Sequence, residues 1–374
     1  MPLIPEAGGT ERITSLVAKG LSALGHKCMG MLVFSVNDDT MTYDGQNVTD
    51  LYAFLHKNQV DIVINQIAYA KWLLEDFLLR GGARWHSDGG KIISCLHFDS
   101  KPASVLYYFK SKQHKALRDY VTIAKLSVFA PYYLCKQEKA TGEIYNWVYD
   151  KSDWYVTLSQ SHFPYFKKVT RRQEYRKLIA INNPLTFNDI SDKSILNEKR
   201  RVVLVCSRMD EYQKRISLIL KAWEIIQNKP EASGWTLKIL GTGYDIDRYI
   251  CYSVSHGLHN VKFEGQRDPE PYYREADIFL MTSIGIEGWG LTLTESLQRG
   301  VVPVVMNTCS VYSDIITHGY NGYLSEGDNL KEFTNHVLSL MSDLPTLRTI
   351  QLNALESANR FTLARTMEKW KAVI

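Results

Sequence analysis

The nine residues Glu287–Glu295, E-G-W-G-L-T-L-T-E, set two carboxylates eight positions apart around a glycine-rich turn. The run I-F-L-M-T-S at 278–283 leads into this turn and predicts a strand, and L-T-L-T-E-S-L-Q-R-G at 291–300 leads out of it and predicts a helix. A helix N-terminus attracts anions, because its unsatisfied N–H donors and the helix dipole point the same way. The residues of the predicted anion site are Gly288, Trp289, Gly290, Leu291 and Thr292.

The side chains around the turn indicate what kind of anion binds there. Gly288 and Gly290 allow a ligand to approach the backbone closely. Glu295 is expected near the first turn of the helix, where a carboxylate is favoured by the dipole and can accept from hydroxyl groups. Backbone donors for a phosphate together with two carboxylates predict a nucleotide-sugar pocket. Taken alone, the same residues also fit a strand–turn–helix corner with a capping glutamate.

The rest of the chain alternates strand and helix patterns. The apolar, β-branched runs at 60–65, 91–96, 201–206 and 301–305 are typical of buried parallel strands, and helical periodicities lie between them. Such alternation predicts an α/β fold with parallel sheets covered by helices. A chain of 374 residues is long enough for two domains.

The boundary between the two domains is expected near Ile181–Pro184. The run at 153–159 is interpreted as the last strand of the first domain, and a new strand begins at Arg201 after a polar stretch. Pro184 stiffens this connection and blocks helix continuation. The predicted domains are therefore 1–183 and 184–360.

Composition excludes several classes of protein. With 45% hydrophobic and 22% charged residues the chain is globular. Its longest apolar runs fall short of the roughly 18 residues that span a bilayer, and the N-terminus lacks the basic start of a signal peptide. The six cysteines are scattered without a C-x-x-C pair, as expected in a reducing compartment. We therefore expect a cytoplasmic protein.

Positive charge is concentrated in one part of the chain. The net charge is only +4, yet residues 101–181 contain 15 Lys and Arg against 6 Asp and Glu, with aromatic residues among them. Ordinary solvated helix faces are one interpretation. The same pattern fits docking on an anionic membrane surface, at the inner face of the plasma membrane. No nucleic-acid-binding module is recognisable, so nucleic acid is not an expected partner.

The glycine-rich turn and further segments together resemble the E-x7-E glycosyltransferases, namely the retaining GT-B enzymes of glycosyltransferase family 4. The resemblance extends over nearly the whole chain and is most specific in its C-terminal half. The matching segments are G-G-T-E-R (8–12), I-I-S-C-L-H-F-D (92–99), S-R-M-D-E-Y-Q-K-R (207–215), L-K-I-L-G-T-G (237–243), V-K-F-E-G (261–265), A-D-I-F-L-M-T-S (276–283), G-V-V-P-V-V (300–305) and G-Y-N-G-Y-L (319–324).

This resemblance implies a fold and a function. The fold is GT-B, with two Rossmann-like domains facing across a cleft: an acceptor domain at 1–183, a donor domain at 184–360, and a C-terminal helix at 361–374 that crosses back to the acceptor domain. The implied function is transfer of a hexose from a nucleotide-diphosphate sugar, with UDP favoured, to a glycan or lipid-linked acceptor in cell-surface polysaccharide or lipopolysaccharide biosynthesis. A nucleotide-sugar epimerase of the same fold and a non-catalytic sugar-binding protein are the alternatives.

The resemblance also assigns residues around the donor diphosphate. A basic pair neutralises the leaving diphosphate in this family. Here Arg208 is one member, and the spacing leaves open whether Lys214 or Arg215 is the other. Glu295 is implied to bind the ribose hydroxyls and Glu287 to face the donor sugar.

Two further segments are assigned by the same resemblance. His97 follows a strand and matches the family's catalytic-centre histidine, which is implied to hydrogen bond the donor sugar. Gly8 and Gly9 match the N-terminal glycine loop. Before this loop and its preceding Glu6 the sequence has only Met1–Pro5. The two prolines in that stretch predict a truncated or irregular first strand.

Metal and dinucleotide sites are weakly supported. Asp245-Ile246-Asp247 has the letters of a metal-binding D-x-D motif, but it opens a helix, where Asp245 is expected to be an ordinary cap. His256 and His259 are spaced like helical neighbours without further ligands. Gly241 and Gly243 lack the third glycine of a dinucleotide loop and are assigned to the nucleotide-sugar site instead. We predict no metal and no cofactor besides the donor substrate.

Overall fold

The structure is a computed structural model that describes residues 8–30, 32–33, 41–43, 46–102, 104–112, 115–285 and 287–374. The chain separates into two compact units, which we call the first unit (1–100, 134–184 and 362–374) and the second unit (101–133 and 185–361). The segment Lys101–Tyr133, which the sequence pattern assigned to the N-terminal domain, belongs to the second unit. The predicted irregular strand at Met1–Pro5 lies outside the described residues.

Strands occur in three sheets within the described residues. The first unit holds a three-stranded antiparallel sheet, β1-β2-β3, and a four-stranded parallel sheet in the order β4-β5-β6-β7. The second unit holds a six-stranded parallel sheet in the order β10-β9-β8-β11-β12-β13. The strands are β1 Leu32–Val33, β2 Met41–Tyr43, β3 Gln46–Val48, β4 Ile62–Asn65, β5 Lys91–Leu96, β6 Trp154–Thr157, β7 Leu178–Ala180, β8 Val202–Cys206, β9 Thr236–Leu240, β10 Val261–Gly265, β11 Ala276–Met281, β12 Val302–Asn307 and β13 Tyr323–Glu326.

Helices connect and cover these strands. They are α1 Gly9–Ala23, α2 Leu51–Lys57, α3 Lys71–Phe77, α4 Ala83–Ser87, α5 Val105–Ser111, α6 Leu117–Val128, α7 Ala130–Lys151, α8 Phe163–Thr170, α9 Ile216–Ile226, α10 Ile246–Ser255, α11 Glu270–Glu275, α12 Leu291–Gln298, α13 Tyr312–Ile315, α14 Leu330–Ser342, α15 Leu344–Ala358 and α16 Leu363–Trp370. A π-helical stretch, Leu78–Gly82, joins α3 to α4. The predicted α/β architecture with parallel sheets is confirmed.

The first unit confirms the buried-strand prediction and corrects one boundary. In β5 the residues from Ile92 to Leu96 are all fully buried, as a parallel strand covered on both faces requires. The interpretation of 153–159 as the last strand is wrong, because Leu178–Ala180 adds a further parallel strand beside β6. Three residues are too few for a periodic pattern to show. At the other end of the chain, α16 packs against α1, where Gly20 lies close to Met367.

The second unit has a continuous apolar core between its sheet and its helices. The core includes Val203 and Val205 of β8, Ile239 of β9 and Trp223 of α9, all at most 1% exposed. The order of its strands reverses between β8 and β11, since β9 and β10 follow on one side and β12 and β13 on the other. In an open parallel sheet ligands bind outside the carboxyl ends of the strands at such a reversal. A ligand-binding site is therefore expected at the carboxyl ends of β8 and β11.

Candidate active site

Two loops meet at the strand reversal of the second unit. The loop after β8 spans residues 207–215, and the loop after β11 includes the described residues 282–285 and 287–290. Two hydrogen bonds hold them together: Ile284 N–H donates to Gln213 O over 2.8 Å, and Thr282 Oγ1–H donates to Lys214 O over 2.8 Å. The predicted strand–turn–helix corner thus lies beside the loop that carries Arg208 and Lys214.

Lys214 and Glu287 form an ion pair across these loops. Lys214 Nζ donates to Glu287 Oε1, and each side chain keeps 20% of its surface exposed. A charge pair with this access to solvent remains available to a ligand. The structure therefore brings together two residues that the sequence separates by 73 positions.

Arg208 lies in the same loop and is the most accessible of its basic side chains. Its side chain is 56% exposed, and its guanidinium donates to Gln213 Oε1 and, over 3.1 Å, to Asp210 Oδ2. These neighbours hold the guanidinium over the loop without burying it. An accessible guanidinium can pair with a phosphate in a bidentate geometry.

Arg215 is placed very differently from Arg208 and Lys214. Its side chain is only 3% exposed, and its Nε–H donates to Thr282 O over 2.7 Å. Its guanidinium also pairs with Asp328. The backbone at Arg215 is left-handed, with φ of 50°, just before α9 begins. Arg215 therefore ties the loop after β8 to the end of β11, and it is not a solvated surface cation.

The N-terminus of α12 faces the same corner. Gly290 has φ of 84° and precedes Leu291, the first helical residue, so the N–H groups of Leu291 and Thr292 have no acceptor within the helix. Gly288 is buried in the turn. Trp289 is buried too, with its ring edge-on to Phe361 at 5.3 Å, and its indole N–H has no hydrogen-bond partner among the described residues.

Glu295 lies deeper than the sequence predicts. Because α12 begins at Leu291, Glu295 is in the second turn of the helix instead of the first, and its side chain is buried. Its Oε1 accepts from Thr186 Oγ1–H over 2.7 Å, and the Tyr273 hydroxyl also hydrogen bonds to its carboxylate. The Glu295 carboxylate thus hydrogen bonds to hydroxyl groups, and in this structure those hydroxyl groups are on protein side chains.

The two glycines at Gly241 and Gly243 serve the packing of the loop after β8. They have φ of 125° and 157°, and a Cβ on them would lie 1.9 Å from Ser207 O and 2.4 Å from Met209 O. The backbone is joined there by Met209 N–H donating to Thr242 O over 2.9 Å. These glycines thus fix the backbone on both sides of Arg208.

The predicted residues of the first unit are Gly8, Gly9 and His97. Gly9 opens α1, and Gly8 precedes it with extended backbone. His97 follows β5, and its Nε2 lies 2.5 Å from Gln66 Oε1, an acceptor, so Nε2 carries the proton. Loss of hydration lowers the pKa of His97 to about 4, although part of the ring is exposed. A neutral imidazole at this strand end can accept a hydrogen bond at Nδ1.

Aromatic residues that the sequence analysis did not select adjoin the site. Tyr107 of α5 stacks on Tyr212 with ring centroids 6.0 Å apart, and its hydroxyl interacts with Arg215. Burial raises the pKa of Tyr107 to about 12. Tyr312 is buried close to Glu287, and burial raises the pKa of its hydroxyl well above the usual range. No local pattern marks these residues, since Tyr107 and Tyr212 are more than a hundred positions apart.

The metal-ligand candidates with little support in the sequence, Asp245, His256 and His259, lie at or near the ends of α10. Asp245 is not the side-chain cap of α10: its Oδ2 accepts from Glu211 N–H over 2.9 Å, because the loop after β8 passes beside it. His256 ends α10 and stacks on Tyr252, and His259 lies beyond the helix. Across the described residues no three His, Cys, Asp or Glu side chains are grouped as metal ligands require. No described helix is both long and apolar enough to cross a membrane.

Comparison with known proteins finds a family model that is similar to the part of the chain containing this corner. Residues 186–356 match the family model of the glycosyl transferases group 1. This part of the second unit is therefore similar to the glycosyl transferases group 1. The match covers nearly all of 185–361 and includes Arg208, Lys214, Glu287 and Glu295.

Curated relatives of the chain include named glycosyltransferases. The poly(glycerol-phosphate) alpha-glucosyltransferase of Bacillus subtilis is 25% identical over 233 residues, which cover 61% of this chain and 33% of the relative. The lipopolysaccharide 1,6-galactosyltransferase of Salmonella typhimurium is 23% identical over 238 residues, which cover 58% of this chain and 64% of the relative. The aligned parts are thus less than two thirds of either relative.

Solved structures share the fold. Anabaena HepE, crystallised with UDP and glucose, superposes with a TM-score of 0.65 at 17% identity, covering 98% of this chain and 95% of HepE. The predicted GT-B fold class is therefore confirmed, and the match to the glycosyl transferases group 1 lies in the C-terminal part of the fold.

Proposed function

We propose that the protein is a retaining, metal-independent glycosyltransferase that moves a hexose from a nucleotide-diphosphate sugar to a glycan or lipid-linked saccharide. The observation that carries this proposal is the group of charges at the strand reversal. Arg208, Lys214 and the N-terminus of α12 converge on one corner of the group 1 domain. Together they supply the positive field that a leaving diphosphate needs.

Lys214, and not Arg215, is the proposed partner of Arg208. Lys214 is partly exposed beside Glu287, whereas Arg215 is buried against the Thr282 carbonyl and Asp328. A side chain already enclosed in this way has few donors left for a ligand. Arg208 and Lys214 would thus hold the two phosphates, and Arg215 would hold the loop that presents them.

The Lys214–Glu287 pair suggests how donor binding arranges the sugar. When a diphosphate arrives, Lys214 gains a stronger anionic partner than a single carboxylate. Glu287 is then released to accept hydrogen bonds from the hydroxyls of the donor sugar. Because these contacts replace an existing ion pair, the cost of desolvating two separate charges is avoided.

The remaining roles follow the family resemblance. Glu295, already bonded to the hydroxyls of Thr186 and Tyr273, is proposed to bind the ribose hydroxyls of the donor. His97 is proposed to accept or donate a hydrogen bond to the donor sugar as a neutral imidazole. UDP is the favoured nucleotide, and this choice is supported by the UDP bound to HepE, a protein of the same fold.

The acceptor and the place of action are proposed from the relatives. Poly(glycerol-phosphate) and lipopolysaccharide transferases among them favour a role in cell-surface polysaccharide or lipopolysaccharide biosynthesis. We therefore propose a cytoplasmic protein that works at the inner face of the plasma membrane.

A screen of nucleotide-sugars for release of nucleotide diphosphate tests the proposal. We expect slow UDP release from one UDP-hexose that accelerates when an acceptor is added, with NMR showing an unchanged anomeric configuration in the product. Addition of EDTA should leave the rate unchanged. Conversion of the donor without an acceptor would identify an epimerase, and donor binding without any turnover would identify a non-catalytic sugar-binding protein.

A further inference from the structure

Exposed apolar side chains are concentrated in one segment of the second unit, Lys101–Tyr133. This segment contains α5, α6 and the start of α7. Large apolar side chains of this segment that lie largely in solvent are Val105, Tyr108, Leu117, Tyr120, Val121, Val128, Phe129 and Tyr132. A concentration of exposed apolar side chains of this kind points to an interaction site. We call this surface the basic apolar face.

The charges of this segment are almost all of one sign. Lys101–Tyr133 contains six Lys and Arg and one acidic residue, Asp119. Asp119 is buried, accepts from Ala116 N–H over 2.9 Å and pairs with Lys112 over 3.1 Å, so its charge is turned inward. Lys110, Arg118 and Lys125 are exposed among the apolar residues. The face therefore presents positive charge to solvent.

The apolar residues of α6 form one stripe. Leu117, Tyr120, Val121 and Val128 recur at the spacing of successive helical turns, and all are more than half exposed. On a helix that packs in a core such a stripe would be buried. An apolar stripe bordered by Lys and Arg is typical of a helix that lies in the interface of a membrane.

Two basic residues outside this segment, Lys168 and Arg172, do not share these properties. Lys168 pairs with Glu138 over 2.6 Å, and Arg172 pairs with Asp150 and with Asn146 Oδ1. These charges are already balanced within the first unit. The membrane interpretation of residues 101–181 is thus supported by only one part of that range.

We propose that the basic apolar face docks on a bilayer that contains anionic lipids, with the stripe of α6 entering the headgroup region. Charge selects this occupant over a second copy of the chain, because two faces of the same sign repel each other. The proposal deepens the proposed function, since a lipid-linked acceptor is presented at such a surface. Binding is reversible and weakens with salt, because screening reduces the contribution of each basic residue.

Vesicle flotation tests the proposal on the full chain. We expect binding to vesicles of phosphatidylcholine mixed with phosphatidylglycerol, little binding to phosphatidylcholine alone, and release at high salt. The triple substitution Lys110→Gln, Arg118→Gln and Lys125→Gln should reduce partitioning about 100-fold. The pair Leu117→Ser and Val128→Ser should reduce it at least about tenfold.

Matched controls separate this face from general hydrophobicity. Leu79 is 82% exposed, as is Leu117, and Val254 is 77% exposed beside 72% for Val128. Leu79→Ser with Val254→Ser should therefore leave vesicle binding unchanged. A polarity-sensitive dye on exposed Cys135, one turn beyond Tyr132 on α7, should respond to vesicles, whereas the same dye on exposed Cys251 should not.

The outcomes distinguish this inference from the proposed function. Equal binding to both vesicle types, or equal losses in the control pair, would overturn the docking face while UDP release stays intact. Concentration-dependent dimerisation that Leu117→Ser abolishes would assign the face to a second copy of the chain instead. Vesicle binding without turnover of the donor would support the basic apolar face as a docking surface and contradict the proposed transferase activity.

Discussion

At the scale of single residues, the two neighbours Lys214 and Arg215 have opposite tasks. One is a partly exposed cation beside Glu287, and the other is a buried cation that donates to a strand-end carbonyl. Sequence spacing could not separate them. Their different surroundings allow a substitution experiment to do so.

We expect Lys214→Met to lower kcat/KM about 100-fold or more and to leave the thermal midpoint near that of the unchanged protein. The lost contact acts on charge that develops in the transition state, worth about 2–4 kcal/mol. Arg215→Met should instead lower stability by about 1–3 kcal/mol, because the Thr282 carbonyl loses its donor. Lys221→Met, an exposed lysine of α9, is the control. The reverse pattern would make Arg215 the phosphate residue.

Glu295 is expected to act on donor binding. Glu295→Ala should raise the KM for the donor, with a smaller effect on kcat, because ribose contacts are present in both the ground state and the transition state. Thr186→Val removes the hydroxyl that donates to Glu295 and keeps the carboxylate, so it should change the donor KM much less. Isothermal titration calorimetry with UDP measures the UDP affinity of both variants. Unchanged UDP affinity in Glu295→Ala would refute the ribose assignment.

At the scale of elements, the loop after β8 depends on the loop after β9. Gly241 has a conformation that other residues rarely adopt, and a Cβ there would lie 1.9 Å from the Ser207 carbonyl. Gly257 also has positive φ, yet nothing lies within 4 Å of its Cβ position. The two glycines therefore separate backbone strain from steric contact.

Gly241→Ala is expected to destabilise the second unit by about 3 kcal/mol or more, since strain and overlap add. Gly257→Ala should cost only about 1–2 kcal/mol, from backbone strain alone. Urea unfolding followed by tryptophan fluorescence gives both values. Equal losses would show that the contact with Ser207 is relieved without cost, and the loop carrying Arg208 would then not depend on Gly241.

At the scale of the whole molecule, one buried lysine links stability to pH. Lys199 Nζ donates to Arg299 O over 2.7 Å and to Tyr273 O over 3.1 Å. Burial lowers the pKa of Lys199 from 10.5 to about 7. Between these values the unfolded chain binds a proton that the folded chain does not, so stability rises with pH.

The free energy of unfolding, measured by thermal unfolding, should therefore rise between pH 7 and pH 9. Lys199 contributes at most about 1.4 kcal/mol per pH unit to this slope. Lys199→Met should remove this contribution, although it also leaves two carbonyls without a donor. Lys221→Met should keep the full slope. An identical pH dependence in the Lys199 variant and the unchanged protein would contradict the assigned pKa.

The sequence by itself determined the class of fold and most of the strands. Apolar β-branched runs such as 91–96 and 201–206 appear as β5 and β8, because a strand buried on both faces leaves a local and continuous signal. The corner between β11 and α12 was predictable for the same reason, since glycines and a helix onset lie within a few positions of each other. Short elements such as β7 were not, because three residues carry no period.

The tertiary structure alone decided which charges act together. Lys214 meets Glu287, Thr186 meets Glu295 and Tyr107 meets Arg215 only after β8 and β11 are placed side by side and α5 packs on the loop after β8. It also decided that Lys101–Tyr133 joins the second unit, and that the acidic Asp119 faces inward. Local sequence records the tendency of each segment, whereas long-range packing sets the burial and the partners that give each charge its role.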